Sequence, residues 1–451
     1  MRTHLTYSFL MLAAIMPFEV AAQSSLKPKI AQSAQQIESK VIEWRRDIHQ
    51  HPELGNQEVR TAQIVATHLR NLGLEVQEKV AVTGVVGILK GGKPGPVVAL
   101  RADMDALPVT ERVDLPFKSN VRTTFNNQET GVMHACGHDA HVAMLMGVAE
   151  ILAAHKNEIA GTVKFIFQPA EEGISGLATF GAKQMVEEGV LENPKVDAIF
   201  GLHISSVFDL GTLHYRPGAT MAAVDELRIR IHGKQSHGAR PWSSVDPIVT
   251  SAQLVNSLQT IVSRNVDISS VPAVVTIGAI HGGIRHNIIP ESVEMVGTIR
   301  TYSEEHQALI HTRINEISTH IAQSAGARSE VEIDKMYPVT YNDPELTETM
   351  IPTLESVAGP ENVRLTPVQT TAEDFSYYQK KVPGLFYFLG ARKKDLAYED
   401  APPHHTPDFY VDEDSFVLGM KSLASLAVDY LEIKGKENQT TAEKKNKGNR
   451  R

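Results

Sequence analysis

An α/β core divided between two chain segments, with a smaller α+β domain inserted between them, is the fold this sequence predicts, and three observations carry it. Short, near-continuous apolar runs alternate with helical stretches from about residue 37 to 202, the pattern of a sheet covered on both faces. From about residue 220 the order becomes β-α-β-β-α-β, the split-βαβ arrangement of ferredoxin-like domains. The α/β pattern returns near residue 346. At 451 residues and 42% hydrophobic, the chain can bury two or three cores, and near-average glycine and proline usage (31 and 23) excludes collagenous and wholly disordered readings.

Residues 1–22 read as an export signal. Arg2 precedes an apolar run from Leu5 to Phe18, and Val20, Ala21 and Ala22 supply the small residues a signal peptidase requires before Gln23. The first part of the core is then 23–218. Its segment 37–50 sets Val41, Ile42, Trp44 and Ile48 at helical spacing and stops at Pro52, while 59–72 repeats the period and stops at Gly73. Strands are predicted at 85–89, 97–102, 163–167 and 198–202, with helices at 141–155 and 180–188. The inserted domain, 219–335, carries strands at 227–231, 273–280, 293–301 and 331–333 and helices at 246–262 and 303–325. The second part of the core, 336–433, holds a helix at 346–357, a buried strand at 385–389 and a last helix at 414–431. The remainder, 434–451, reads as a disordered basic tail.

Charge narrows the function. Five lysines and two arginines against two glutamates give 434–451 a charge of +5, Arg2 and Glu19 cancel in 1–22, and 23–433 therefore carries −14 of the net −9. An acidic body disfavours a polyanionic partner, so nucleic-acid binding is not expected. Beyond the first segment no stretch approaches about 20 apolar residues, and no stable membrane association is expected once the signal is removed. The lone Cys136 has no internal partner for a disulfide.

The chemistry-bearing residues fall at the ends of predicted core strands. Asp103 and Asp105 follow the strand 97–102; His134, Cys136, His138 and Asp139 open a helix; Glu171 and Glu172 follow 163–167; His203 closes 198–202; His404 and His405 come late. Ligands bind outside the carboxyl ends of strands in open α/β sheets. Each motif alone also fits a plainer role: Cys136 as a small buried hydrophobe, the aspartates as a turn, the glutamates as a solvated bend. Together, a thiolate, imidazoles and carboxylates converging from several strand ends form a ligand set for zinc or a similar divalent ion. Such an ion would also protect a lone thiol in an exported protein. Two adjacent glutamates suit a division of labour in which one ligates and the other remains free as general base.

The motifs RADMDALP, HACGHDAH, QPAEEG, FGLH, GKQSHGARP, SRNV, GGIRHNIIP, AEDFSYY and HTPDF, in this order, resemble those of the dinuclear-metal aminoacylase and carboxypeptidase superfamily. The resemblance is to its amidohydrolase branch, which includes hippurate hydrolases and auxin-conjugate hydrolases, and runs from about Ile37 to Tyr430. It implies a mixed-sheet catalytic core with the inserted domain as a lid and dimerisation domain. It further implies two divalent metals per subunit, zinc or manganese with cobalt or nickel as alternatives, held by Cys136, His138, Glu172, His203 and His405 with Cys136 as bridge. Glu171 becomes the general base, Asp105 a catalytic aspartate, and Asp103 the counterpart of a metal-binding histidine of other branches. His405 is preferred over His404 for its spacing to Pro407 and Phe409. His237 corresponds to a lid histidine presented to the scissile group, often across a dimer, and Asn287 and Arg285 are candidate substrate contacts. The implied activity is hydrolysis of N-acyl amino acids, with a carboxypeptidase or dipeptidase as the alternative, by an exported, periplasmic or secreted homodimer or higher homo-oligomer.

Overall fold

A computed structural model describes residues 26–448 apart from 175, 178, 270 and 271; the expected export signal, 1–22, lies outside them. The core is built on an eight-stranded mixed sheet. In spatial order its strands are Glu75–Val80, Gly84–Lys90, Ala160–Gln168, Lys93–Asp103, Ala198–Asp209, Gly384–Arg392, Leu213–Tyr215 and Val363–Leu365. The four strands from Ala160–Gln168 to Gly384–Arg392 are mutually parallel, and the pairings of Glu75–Val80 and Gly84–Lys90 are antiparallel. Both faces are covered, and side chains alternate accordingly. Val98, Leu100, Phe165, Phe200 and Leu385 join one apolar layer, with the helices Glu38–Gln50, His138–Ala154 and Phe416–Gly448 over it. Ala99, Ile166, Ile199 and Phe386 join a second layer on the other side.

The inserted segment has the expected element order. Its strands lie in the order Val274–Gly282, Ser292–Thr301, Ala223–His232 and Arg328–Tyr337, all antiparallel. The helices Pro247–Arg264 and Glu304–Ser324 cover one face, where Leu227, Ile229, Leu254, Leu258 and Ile310 form a separate core. Asp246 accepts hydrogen bonds from the N–H groups of Ile248 and Val249, which caps the first helix and stabilises it by about 1 kcal/mol. On the strands Arg228 pairs with Glu226 and Glu294, the opposite sheet face being polar.

Two sequence expectations change. The strand Glu75–Val80 was not anticipated, because only Val80 of its six residues is buried and it carries no apolar alternation. The last helix, expected to end at Leu431 before a disordered tail, continues to Gly448. Its buried face, including Phe416, Met420 and Leu431, pays the nucleation cost, after which Lys, Glu, Ala and Gln propagate it well and Lys434 pairs with Glu437 at 3.0 Å.

Candidate metal and hydrolytic site

The carboxyl ends of the parallel strands position the site. Asp103 ends Lys93–Asp103, in register with Gln168, and His203 in Ala198–Asp209 lies beside Phe388. Cys136 enters through Gly137, whose φ is +96° and whose absent Cβ would lie 2.4 Å from Ile204. Only glycine satisfies both conditions, and it starts the helix at His138, three residues before the expected position.

Donor atoms from five residues converge here. The Sγ of Cys136 lies 3.4 Å from His203 Nε2 and 3.3 Å from His405 Nε2, and the latter is 3.1 Å from Glu172 Oε1. His138 directs Nδ1 to the carbonyl and carboxylate of Asp105, at 2.9 and 3.2 Å. Its Nε2 is buried without a hydrogen-bond partner among the described residues, 3.9 Å from Glu171 and 4.0 Å from Glu172. Burial keeps His203 neutral, with a pKa well below the usual imidazole value, and Nδ1 donates to the Ile204 carbonyl at 2.7 Å. Its Nε2 lone pair is thereby left for the cluster. Burial, with Glu172 and Glu171 next, pushes the Cys136 thiol well up, so a thiolate here requires a cation. The orphaned His138 nitrogen, the available His203 lone pair and the soft and hard donors around Cys136 fit divalent metal ions.

The structure thus brings together Cys136, His138, Glu172, His203 and His405, and adds His404. The sequence reading preferred His405 over His404 as the ligand. The Nδ1 of His404 is 3.7 Å from Cys136 Sγ, while Nε2 accepts the Ser206 N–H at 3.4 Å. That acceptor role puts the proton on Nδ1, so His404 meets the sulfur as a donor and His405 keeps the better ligand geometry.

Around these donors lies a layer that the motifs contained but that sequence alone did not decode. Arg101, 2% exposed, donates to Gln168, Asp103, Glu373 and Asp374 at 2.7–2.9 Å. His141 joins Asp103 at 2.6 Å and accepts the Ile204 N–H at 2.8 Å. Asp103 is therefore fully engaged by neighbouring side chains. The glutamate loop is held at consecutive residues. Ala170, in the left-handed region at φ +53°, donates its N–H to Glu58 at 2.9 Å, and Glu172 donates its N–H to Asp105 at 2.9 Å. Burial, then the charges of Glu373 and Glu172, raise the Glu171 pKa well above the carboxylate range.

A cavity of about 550 Å³ opens on this cluster, lined by Glu171, Glu172, Cys136 and His203 and by Phe208, Met221, Val224, Met336 and Arg300. His237, Arg285 and Asn287 are not in this lining. His237 lies in the lid turn that pairs Ser236–His237 with Ile288–Ile289, its Nδ1 accepting the Ala239 N–H at 3.0 Å, and Gly238 donates to the Asn287 carbonyl at 2.8 Å. The three sit together on the lid, outside the lining of this cavity.

A divided α/β core with a split-βαβ insert and a thiol-imidazole-carboxylate cluster at its parallel strand ends is the arrangement of a hydrolase with a candidate metal site. The sequence matches the family described as Peptidase family M20/M25/M40 over residues 99–429, and the chain belongs to it. It is 44% identical over 409 residues to Thermostable carboxypeptidase 1 of Saccharolobus solfataricus, covering 90% of this chain and 99% of the relative. It is 38% identical over 429 residues to IAA-amino acid hydrolase ILR1-like 2 of Arabidopsis thaliana, covering 91% and 92%. Among solved structures, a dinuclear metal binding peptidase from the M20 family of Bacillus subtilis superposes with a TM-score of 0.73 at 34% identity, over 88% of this chain and 99% of that one. The protein is thus a hydrolase of amide or peptide bonds, with a mixed-sheet catalytic core and a lid domain.

Proposed function

We propose that the protein hydrolyses the amide bond of N-acyl amino acids with two divalent metal ions, zinc or manganese, held by Cys136, His138, Glu172, His203 and His405 with Cys136 shared. The observation that carries this reading is the convergence of those five donors on the buried Glu171, with Cys136, Glu172, His203 and His405 lining one cavity beside it and His138 buried behind Glu171 and Glu172. Bound divalent ions lower the pKa of water to about 7 and polarise an amide carbonyl. Glu171 takes the proton of the attacking water on its carboxylate and returns it to the leaving nitrogen. Asp105 aims His138 through its hydrogen bonds. Arg300 binds the carboxylate of the amino-acid half. Its guanidinium lines the cavity with no ion-pair or hydrogen-bond partner among the described residues, since nearby Asp225 is held by His311 and Gln307.

His237 acts from a second copy of the chain, donating to the oxyanion, with Arg285 and Asn287 contacting substrate. The exposed apolar residues Trp242 and Ile284, 80% and 96% accessible, support a homodimer built on the lid. The segment 1–22 directs export to the periplasm or medium.

The carboxypeptidase reading is favoured by the 44% identity to a relative of that name. A panel of N-acyl amino acids, their decarboxylated amides and unblocked dipeptides separates the two readings. Release of free amino acid from the acylated set, with weak turnover of dipeptides, is expected. Turnover of dipeptides alone would favour the peptidase, and no turnover of any member would overturn both. Arg300→Met should lower kcat/KM by about 10- to 100-fold for acids but not for the matched amides, the worth of a charge-assisted hydrogen bond.

A further inference from the structure

Tyr337 is the last residue of the lid strand Arg328–Tyr337, just before Pro338 turns the chain back toward the core. Its ring meets Phe180 of the core edge-on, with centroids 6.2 Å apart. Its hydroxyl donates to the backbone carbonyl of Glu171 at 2.7 Å. From the core, the Tyr377 hydroxyl in turn donates to the carbonyl of Met336, so this end of the lid strand is fastened in both directions.

The carbonyl that Tyr337 holds belongs to the peptide plane joining Glu171 to Glu172. That plane is rigid, so fixing its oxygen fixes the backbone torsions on either side and with them the directions of both side chains. The same loop has a left-handed alanine, Ala170, which Glu58 holds, and a Glu172 N–H bound to Asp105. Three side chains thus hold three consecutive residues. Two of them, Glu58 and Asp105, are core residues, and only Tyr337 comes from the lid. The phenol is the one of these three restraints that reaches the loop from the lid strand.

We propose that Tyr337 is a positioning residue that fixes the aim of Glu171 from the end of the lid strand. The inference rests on the reading of Glu171 as general base. Tyr337 touches no reacting atom in this role; it acts through the Glu171 carbonyl.

The test is Tyr337→Phe, which removes the hydroxyl and retains the ring against Phe180. Metal content should be unchanged and KM should stay within about twofold, while kcat falls by about 10-fold or more, since misplacement of a catalytic group is felt in the chemical step. In a Glu171→Gln background the same substitution should cause no further loss, because its effect passes through the base. In metal-free protein, where activity plays no part, amide hydrogen exchange over 168–174 should be faster in Tyr337→Phe than in the parent. An unchanged kcat, an equal proportional loss in both backgrounds, or unchanged exchange over 168–174 would each overturn the proposal. Full activity in Glu171→Gln alone would instead overturn the base assignment, and the exchange measurement would still decide whether Tyr337 holds the loop.

Discussion

The backbone N–H of Glu172 donates to the Oδ2 of Asp105 at 2.9 Å, while Oδ1 of the same aspartate faces His138 Nδ1 at 3.2 Å. One carboxylate therefore orients two proposed ligands, one after a strand end and the other at a helix start. Asp105→Ala should weaken metal binding by about 10- to 100-fold, the usual cost of losing such a partner, and titration of metal-free protein with zinc would measure it. An unaltered affinity would confine Asp105 to a role in the chemical step.

Base and ligand separate by metal analysis. Glu171→Gln should retain both metals and lose about two to four orders of magnitude in rate, whereas Glu172→Gln should lose metal. The reverse pattern would exchange the two assignments.

Cys136 gives a chemical test. Coordination occupies the sulfur lone pairs, so the metal-loaded protein should resist alkylation and become reactive after chelation. Equal labelling in both states would remove Cys136 from the proposed ligand set.

His237 can be tested by complementation. His237→Ala should lower kcat far more than it raises KM, because its hydrogen bond forms mainly in the transition state. Mixing it with Glu171→Gln should restore partial activity, one hybrid site combining an intact base with an intact lid histidine. Absence of recovery despite proven subunit exchange would return His237 to its own chain.

The pH dependence of stability has an identifiable source outside the proposed ligand set. Burial, and then the charge of Arg364, lower the His214 pKa to about 4, and its ring stacks on Phe208 at 4.0 Å. An unfolded imidazole titrates near ~6.5, so below that pH the unfolded chain binds a proton that the folded state refuses. Stability should therefore fall as pH drops from about 6.5 toward about 4. His214→Phe removes this contribution, and thermal melts across that range should show a shallower decline in Tm than in the parent. Parallel declines would locate the acid sensitivity elsewhere.

The core strands were legible because burial on both faces makes Val97–Ala102 and Leu385–Leu389 almost wholly apolar, and the proposed ligands because they follow such runs. Arg101 was not legible as a structural hub. An arginine at a strand end reads as solvent-facing, and its four acceptors come from positions as distant as 373 and 374. Glu58 and Tyr337 escaped for a related reason, since each acts on the backbone of the glutamate loop, and no side-chain pattern records such a bond. His405 was preferred over His404 from its spacing to Pro407 and Phe409, whereas the Ser206 N–H that occupies His404 Nε2 is supplied only by the fold. His237 stands on the lid in the short strand Ser236–His237, but no sequence pattern fixes whether it lines the cavity of its own chain.

The location of His405 sets an order of events in biogenesis. Cys136, His138, Glu172 and His203 all precede the insert, whereas His405 follows it and arrives only when Gly384–Arg392 has slotted between Ala198–Asp209 and Leu213–Tyr215. A nascent chain halted after the lid would own four of the five donors and lack a central strand of the sheet that aims them. The full set of five proposed donors would therefore assemble only once the second core segment is in place.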